Sequence, residues 1–492
     1  MKVWLCIISG ILLFLPFLFA GGDFPLGFLS YFALVPLFFA LESTSFKRGF
    51  LFGLLTGFIF FSGLLHWLLF LNAEESSFPL LLTGVFVLVV YQTLYVALFS
   101  LTYSYFRKRL GIFAYLFAPF LWSSLEYIRG LTSLGFPWGS LAYTQTRYIH
   151  LIQFASITGT PGITCWIVSI NILIFLLLKN RKKRLIFIIV IFILFLLPWL
   201  HGRIRLDKEF KGSIRVALIQ INLDPDRIWG SDYKDEIKEV LEKMIQEAAA
   251  SEPDLIVLPE TALPSYLRFR YDYEYFFRTL LREFNIPILT GATRYDYRES
   301  KYYNTAYLFS FREKEHYDKL HLVPFGERLP YDDVFTFLQK INWGQGNYSP
   351  GKEYKVFSNE KFPFSVLICF ESIFSSLSRK FVNEGAEVLF NITNDEWFGR
   401  TSGPFQHAEM VIFRAIENGV PVGRCGNTGV TMLIDPYGRT TKRTEIFTRE
   451  VVVGNLHLLN ERTFYTRFGD GFAYIAVIIS LIGLLYPLFR KK

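Results

Sequence analysis

The chain has 492 residues, of which 52% are hydrophobic and 53 are phenylalanine, too apolar for a soluble protein of two or three ordinary domains. Its formal charge of +8 falls in short basic clusters beside apolar runs, such as Arg107-Lys108-Arg109 and Arg181-Lys182-Lys183-Arg184, which suits membrane flanks and argues against a nucleic-acid partner. Four cysteines, with no CxxC pair and no Cys/His cluster at metal-ligand spacing, indicate neither a disulfide framework nor a zinc site; no metal or cofactor is expected.

A helix needs about 20 mostly apolar residues to cross a bilayer core. Eight stretches qualify: 3–20, 24–42, 48–71, 78–105, 111–128, 162–179, 184–200 and 472–489. The first is read as a retained helix rather than a cleaved leader, because Leu18 stands where a small residue should precede Ala20. With Lys2 cytoplasmic, the loops carrying Lys47-Arg48, Arg107 to Arg109, Arg181 to Arg184 and the tail Arg490-Lys491-Lys492 all fall on the cytoplasmic side, while Asp23 and Glu74-Glu75 fall opposite. Both termini are then cytoplasmic and the polar block between spans seven and eight is extracytoplasmic. The expected division is a seven-span bundle over 1–201, a catalytic block over 213–460 and a last span over 472–489.

Between spans five and six an outer loop, 129–161, is punctuated by Gly and Pro, and its Trp138 and Tyr143 suit the headgroup level. Glu126 and Arg129 sit three apart at the end of span five, on one helix face, and are expected to pair. His66-Trp67 suits a membrane interface, and Cys6 and Cys165, inside apolar runs, read as packing residues. Ionisable residues inside the runs are few, which argues against an ion-coupled transporter.

From 213 to 460 short β-rich runs alternate with amphipathic stretches. Strands are predicted over 215–221, 254–258, 287–291, 303–310, 364–369, 388–392 and 430–434, and a helix after Ser231, where Ile237, Val240, Leu241, Met244, Ile245 and Ala248 recur at helical spacing. This order predicts a layered α/β domain with one substantial core. Three strand ends deliver reactive side chains: Glu260 after Leu255-Ile256-Val257-Leu258-Pro259, Lys319 within Tyr317-Asp318-Lys319-Leu320-His321, and Cys369 after Val366-Leu367-Ile368. Strand ends are where α/β folds build their sites. A thiol with an ordinary pKa near about 8.5 needs a base or a positive neighbour to become a nucleophile, and a carboxylate and an ammonium supply both. Cys425 lacks an acidic neighbour like Glu371 and reads as a bystander, and His321 as a structural residue.

Glu, Lys and Cys in this order, in the Leu258-Pro259-Glu260 and Cys369-Phe370-Glu371 contexts, resemble the nitrilase or carbon-nitrogen hydrolase superfamily. With the membrane half, the chain resembles the apolipoprotein N-acyltransferase family, through Phe136-Pro137-Trp138, Val323-Pro324-Phe325-Gly326-Glu327, Asn394-Asp395-Glu396-Trp397-Phe398-Gly399, Gln406-His407 and Gly426-Asn427-Thr428-Gly429-Val430. The resemblance implies a helical membrane bundle joined to an αββα sandwich, with Glu260 as general base, Lys319 as oxyanion holder and Cys369 as nucleophile. It places Glu327 and Glu371 in support of Lys319 and the base, and Trp229, Phe325, Trp397 and Phe398 against substrate. Phe370 departs from the pattern, which has Tyr there.

The reaction it implies moves an acyl chain from a phospholipid, phosphatidylethanolamine by resemblance, through a Cys369 thioester to the α-amine of a diacylated apolipoprotein. The setting it implies is a bacterial inner membrane with the catalytic block in the periplasm. Nothing demands more than a monomer. Two rivals carry different expectations: an anchored amidase acting on a small soluble amide predicts a water-filled polar pocket, and a binding scaffold has no need of all three reactive residues.

Overall fold

The computed structural model describes residues 1–22, 25–71, 78–223, 234–263, 271–311, 314–334, 346–359, 361–459 and 461–489. Trp229, Asp23, Glu74-Glu75 and the basic tail from Arg490 lie outside the described residues. Contacts divide the chain into one unit of Met1–Lys208 with Phe468–Lys492 and a second of Glu209–Arg467.

The first unit is helical: α1 (Lys2–Leu18), α2 (Val35–Leu41), α3 (Phe46–Leu64), α4 (Phe78–Leu110), α5 (Ala114–Arg129), the short α6 (Ile149–Ile152), α7 (Ala155–Lys179) and α8 (Arg184–Leu206). Four stretches are long and apolar enough to cross a membrane, Phe46–Leu64, Phe78–Arg129, Ala155–Lys179 and Arg181–Leu206; Lys2–Leu18, Leu26–Leu41 and Gly471–Tyr486 are apolar but shorter. The run at 24–42 is not one continuous helix. A 3-10 turn over Leu26–Tyr31 precedes α2, whose first turn holds Pro36, consistent with a chain that must leave the helical path between them.

Helix α3 lies close against α4 because Gly49, Gly53 and Gly57 recur every four residues. A Cβ at Gly53 would come within 2.6 Å of the Ala97 Cα, so only glycine permits this approach. The expected Glu126–Arg129 pair does not form. Glu126 accepts from Trp122 Nε1 at 2.8 Å, Leu141 N at 3.1 Å, Thr164 Oγ1 at 2.7 Å and the Ser140 hydroxyl, which leaves its oxygens no room for the guanidinium. Trp138 is buried between Phe136 and Trp67, with ring centroids 5.7 and 5.1 Å away, and Tyr143 is buried too. Both side chains therefore pack within the unit.

The second unit holds two six-stranded sheets. In chain order it contains β1 (Gly212–Gln220), α9 (Lys234–Ala249), β2 (Leu255–Val257), α10 (Tyr271–Phe284), β3 (Ile288–Asp296), β4 (Lys301–Phe309), β5 (Lys314–Asp318), β6 (Phe357–Ser358) and β7 (Pro363–Ile368). Then follow α11 (Ser375–Asn383), β8 (Val388–Thr393), α12 (Gly403–Asn418), β9 (Val422–Gly426), β10 (Met432–Ile434), β11 (Thr440–Arg443) and β12 (Glu450–Leu458). The short α13 (Phe464–Phe468) bridges the boundary, and α14 (Gly471–Phe489) returns to the first unit.

One sheet runs β12-β1-β2-β3-β4-β5 and the other β11-β10-β9-β8-β7-β6. Their central strands, β1 to β3 and β7 to β9, pair parallel. Strands β2, β8 and β9 are buried at every position, as parallel strands covered on both faces must be. Helices α9 and α10 press Ile237, Leu241, Ile245, Phe277 and Leu280 onto the first sheet, completing one core layer. Helix α12 is buried along nearly its whole length and ends at Gly419, whose φ of +67° closes the last turn.

Candidate active site

The site grows from the carboxyl ends of two of these parallel strands, β2 and β7, and of the antiparallel edge strand β5. Glu260 lies three residues beyond β2, Lys319 follows the last residue of β5, and Cys369 follows the last residue of β7. Two corners there are strained: Cys369 adopts φ +50° and Thr261, beside Glu260, φ +52°. A left-handed non-glycine residue costs roughly 1–2 kcal/mol and persists only where its surroundings hold it. At Cys369 the restraint is visible, since its carbonyl accepts from Ser372 Oγ at 2.9 Å, from Asn391 Nδ2 at 3.4 Å and faces His407 Nε2 at 3.2 Å.

Glu260 and Lys319 are buried and coupled. The Lys319 ammonium lies 2.9 Å from Glu327 Oε1 and 3.7 Å from Glu260 Oε1. Asn304 Nδ2 donates to both carboxylates, at 2.7 Å to Glu260 and 2.8 Å to Glu327, while the Asn394 amide donates to the other Glu260 oxygen at 2.9 Å. Burial pushes the Glu260 carboxyl above the usual carboxylate range; Lys319 opposes this and Glu327 adds to it. Burial alone would lower Lys319, but Glu327, Glu260 and Cys369 together hold it above the ordinary lysine value, so it stays an ammonium.

Cys369 is half-buried. Its thiol is pushed up by burial and by Glu260, with Lys319 pulling the other way. The sulfur therefore rests as a thiol, and its proton has to pass to a base as the bond to substrate forms. Glu260, a carboxylate raised toward neutrality beside that thiol, is suited to receive it.

Glu371 is a fully buried clamp. Its Oε1 accepts from Tyr317 Oη at 2.7 Å, Leu320 N at 2.7 Å and His321 N at 3.1 Å, and its Oε2 from Ile368 N at 2.8 Å. Burial raises its carboxyl to about 7, against the pull of those donors and of Lys319. Phe370 is buried against Phe374 and His321. His321, whose ring lies 4.0 Å from that of Phe374, is pushed down to about 4 by burial and Lys319, and so is neutral. Phe325 and Trp397 are about half exposed, and Phe398 is half-buried with its ring 6.2 Å from that of His407. Cys425 is buried and donates to the Ile219 and Val257 carbonyls, and all four cysteines are free.

Beneath Cys369 lies a polar network with no assigned role in the sequence reading. Asp395 is 2.9 Å from His407 Nδ1, accepts from Thr393 Oγ1 at 2.9 Å and pairs with Arg424 Nη2 at 2.5 Å. Burial would raise the Asp395 carboxyl, but Arg424 and His407 hold it down to about 2. Burial and Arg424 depress His407. Cys369, Asp395 and His407 offer ligand atoms within 4.8 Å of one another. A cation there would meet the Arg424 guanidinium on the same carboxylate, so the set suits a hydrogen-bonded brace better than a metal site.

The family comparisons agree with this architecture. Residues 9–173 match the apolipoprotein N-acyltransferase N-terminal domain, and 215–463 match the carbon-nitrogen hydrolase domain. The apolipoprotein N-acyltransferase of Geobacter metallireducens is 35% identical over 504 residues, covering 99% of this chain and 95% of that protein. The chain belongs to the apolipoprotein N-acyltransferase family. The Thermotoga maritima member is 31% identical over 100% of this chain and 95% of its own. Among solved structures, Saccharomyces cerevisiae Nit3 of the nitrilase superfamily is 21% identical over 51% of this chain and 92% of its own, with a TM-score of 0.39. Members of the family are membrane-bound, lipoprotein-processing acyltransferases, and the second unit is their nitrilase-like α/β domain.

Asn304 and Asn394 are not singled out by the sequence, although both donate to the Glu260 carboxylate. Asn394 opens the Asn394 to Gly399 motif, where sequence alone gives it no role. Asn304 had one signal available: it is a buried polar residue inside β4, where the strand pattern gives it no reason to be.

Proposed function

We propose that the chain transfers a fatty acyl group from a phospholipid, phosphatidylethanolamine in the first place, to the N-terminal α-amine of S-diacylglyceryl-cysteine on an apolipoprotein. The observation that carries this reading is Lys319, an ammonium within 2.9 and 3.7 Å of two carboxylates and electrostatically coupled to the Cys369 thiol, in a chain of this family.

Cys369 Sγ attacks the ester carbonyl carbon while Glu260 takes the thiol proton. Lys319 faces the oxyanion, a contribution on the order of a few kcal/mol in a dry site. The tetrahedral adduct collapses by breaking the carbon–oxygen bond, and the departing lysophospholipid oxygen takes the proton from Glu260. The α-amine then attacks the thioester and gives up its proton to Glu260, which returns it to the departing thiolate. An α-amino group with a pKa of about 7.7–8.0 is already partly neutral and nucleophilic near pH 7.

Glu327 and Glu371 hold Lys319 and the two strand ends, and Phe370 packs behind them. Phe325, Trp397 and Phe398 form a lipid-facing rim. The first unit and α14 supply eight spans with both termini cytoplasmic, and the catalytic unit faces the periplasm of a bacterial inner membrane, as the basic-loop pattern implies. The enzyme works as a monomer.

The test is intact mass spectrometry of the full chain after incubation with phosphatidylethanolamine, comparing the unaltered protein with Cys369→Ala and Cys425→Ala. The expected result is a fatty-acyl mass on the unaltered and Cys425→Ala chains, none on Cys369→Ala, and its transfer to a diacylated lipopeptide. No adduct, with turnover of a small amide instead, would sink the lipid assignment.

A further inference from the structure

Arg129, the last residue of α5, is 3% exposed, and its Nε and Nη2 are buried with no hydrogen-bond partner among the described residues. A buried guanidinium left unpaired is strongly unfavourable, and an ionisable group held within a membrane unit marks a functional position. Its neighbour one turn back, Glu126, attracts the charge but gives it no hydrogen bond, because its oxygens are taken by the four neutral donors already described. The remaining surroundings are aromatic. The guanidinium carbon lies 5.2 Å from the Phe61 ring centroid, and Tyr91, Tyr95 and Tyr143 are its other electrostatic neighbours.

The free atoms identify the ligand chemistry. Nε–H and one Nη2–H lie on the same edge of the planar guanidinium and form the fork that grips two oxygens of a carboxylate or phosphate at once. A second such group lies on α4, which packs against α5: Gln92, one turn from Arg129's neighbour Tyr95, is fully buried with both its amide nitrogen and its amide oxygen unpartnered among the described residues. Buried polar groups without partners are rare in native proteins, and two of them on facing helices indicate a guest. Within a bilayer the abundant guest with paired anionic oxygens is a lipid phosphodiester.

The geometry points to a phosphodiester-binding site in the helical unit, with the Nε/Nη2 edge of Arg129 gripping two phosphate oxygens of the phospholipid and Gln92 contributing a further hydrogen bond. This deepens the proposed reaction and rests on its lipid donor. It gives the enzyme a means of telling a phospholipid from an uncharged diacylglycerol.

The site can be tested without acyl transfer. Full-length Cys369→Ala protein and the same protein carrying Arg129→Gln or Arg129→Lys are loaded with phosphatidylethanolamine or with diacylglycerol of the same chains, and bound lipid is counted by native mass spectrometry. Arg129→Gln should lower phospholipid occupancy at least tenfold relative to diacylglycerol. Arg129→Lys, which keeps the charge without the fork, should give a smaller loss and serves as the variant to read if Arg129→Gln does not fold. Equal loss of both lipids would make Arg129 a structural residue, and no loss of either would remove the site. Inorganic phosphate is added to the Cys369→Ala protein as competitor: displacement of the lipid at millimolar phosphate would assign the site to the free anion and overturn the lipid reading. Failure of the thioester assay with normal lipid binding here would count against the reaction and not against this site.

Discussion

Glu371 Oε1 accepts the main-chain N–H of Leu320 at 2.7 Å, so the acid two residues after Cys369 grips the strand end that carries Lys319. Its other oxygen accepts from Ile368, the residue before Cys369. One carboxylate thus ties the end of β5 in the first sheet to the end of β7 in the second, fixing the cation and the sulfur relative to each other.

That tie predicts an effect on rate larger than on binding. Glu371→Gln replaces an oxygen facing an N–H with an NH2 group that cannot accept, and leaving a buried donor unmatched costs about 1–3 kcal/mol. A displacement of about 1 Å between reacting groups can cost on the order of a hundredfold. Thioester formation followed by intact mass spectrometry should therefore slow by about a hundredfold, with half-saturation by phospholipid nearly unchanged. A variant that loses binding in proportion to rate would refute the positioning role.

The shared donor Asn304 should set the pH at which the base works. Glu260 acts only when ionised, burial has already raised it, and the Asn304 hydrogen bond pulls it back down. Asn304→Ala removes that pull and leaves Glu260 and Glu327 facing each other across Lys319 alone. The carboxyl then titrates higher still, so activity lost at low pH should return as pH rises. A shift of the acid limb by about one pH unit corresponds to about 1.4 kcal/mol. Rate–pH profiles of both proteins decide this: a uniform drop with an unmoved limb would rule it out.

Glu260 and Cys369 stood out in the sequence because each follows an apolar run that reads as a buried strand, whereas Lys319 follows the polar, half-exposed β5 and stood out by resemblance. Asn304, Asn391 and Arg424 were not legible in the same way. They lie inside strands and meet their partners across the fold: Asn304 bridges two carboxylates from different loops, and Arg424 reaches Asp395 from the neighbouring strand. Periodicity reports that a polar residue is out of place and says nothing of what it meets. The run at 24–42 shows the complementary limit, since hydropathy measures apolar length and is blind to the break between Tyr31 and α2.

The brace under Cys369 makes acid stability a second readout. Asp395 is held at about 2, below its ordinary 3.8, so its contribution is fully present above about pH 4 and is lost as pH falls through about 2. A shift of that size corresponds to about 2 kcal/mol. Asp395→Asn should be less stable at pH 7, because it leaves the buried Arg424 uncompensated, at a cost of about 3–5 kcal/mol. It should also lose less on acidification than the unaltered protein does. Thermal unfolding in detergent at pH 7 and pH 3 measures both, and parallel losses in the two proteins would show that Asp395 does not carry the effect.

Gly291 offers the sharpest test of how closely the base must be placed. A Cβ at this position of β3 would lie 2.7 Å from the Glu260 Cα and 2.9 Å from the Pro259 carbonyl oxygen. Both are backbone atoms, so no side-chain rotation relieves the clash, and the segment carrying Glu260 has to move away from β3. The Glu260 oxygens would then leave Asn304 and the Asn394 amide, and the base would retreat from the sulfur. Gly291→Ala should slow thioester formation by about ten- to a hundredfold while the fold survives, since overpacking of this kind costs typically about 1–3 kcal/mol. Gly399→Ala is the comparison: its φ of +58° strains the variant, but nothing lies within 4 Å of its Cβ. Equal rate losses in the two variants would mean that general destabilisation, and not displacement of Glu260, explains the effect.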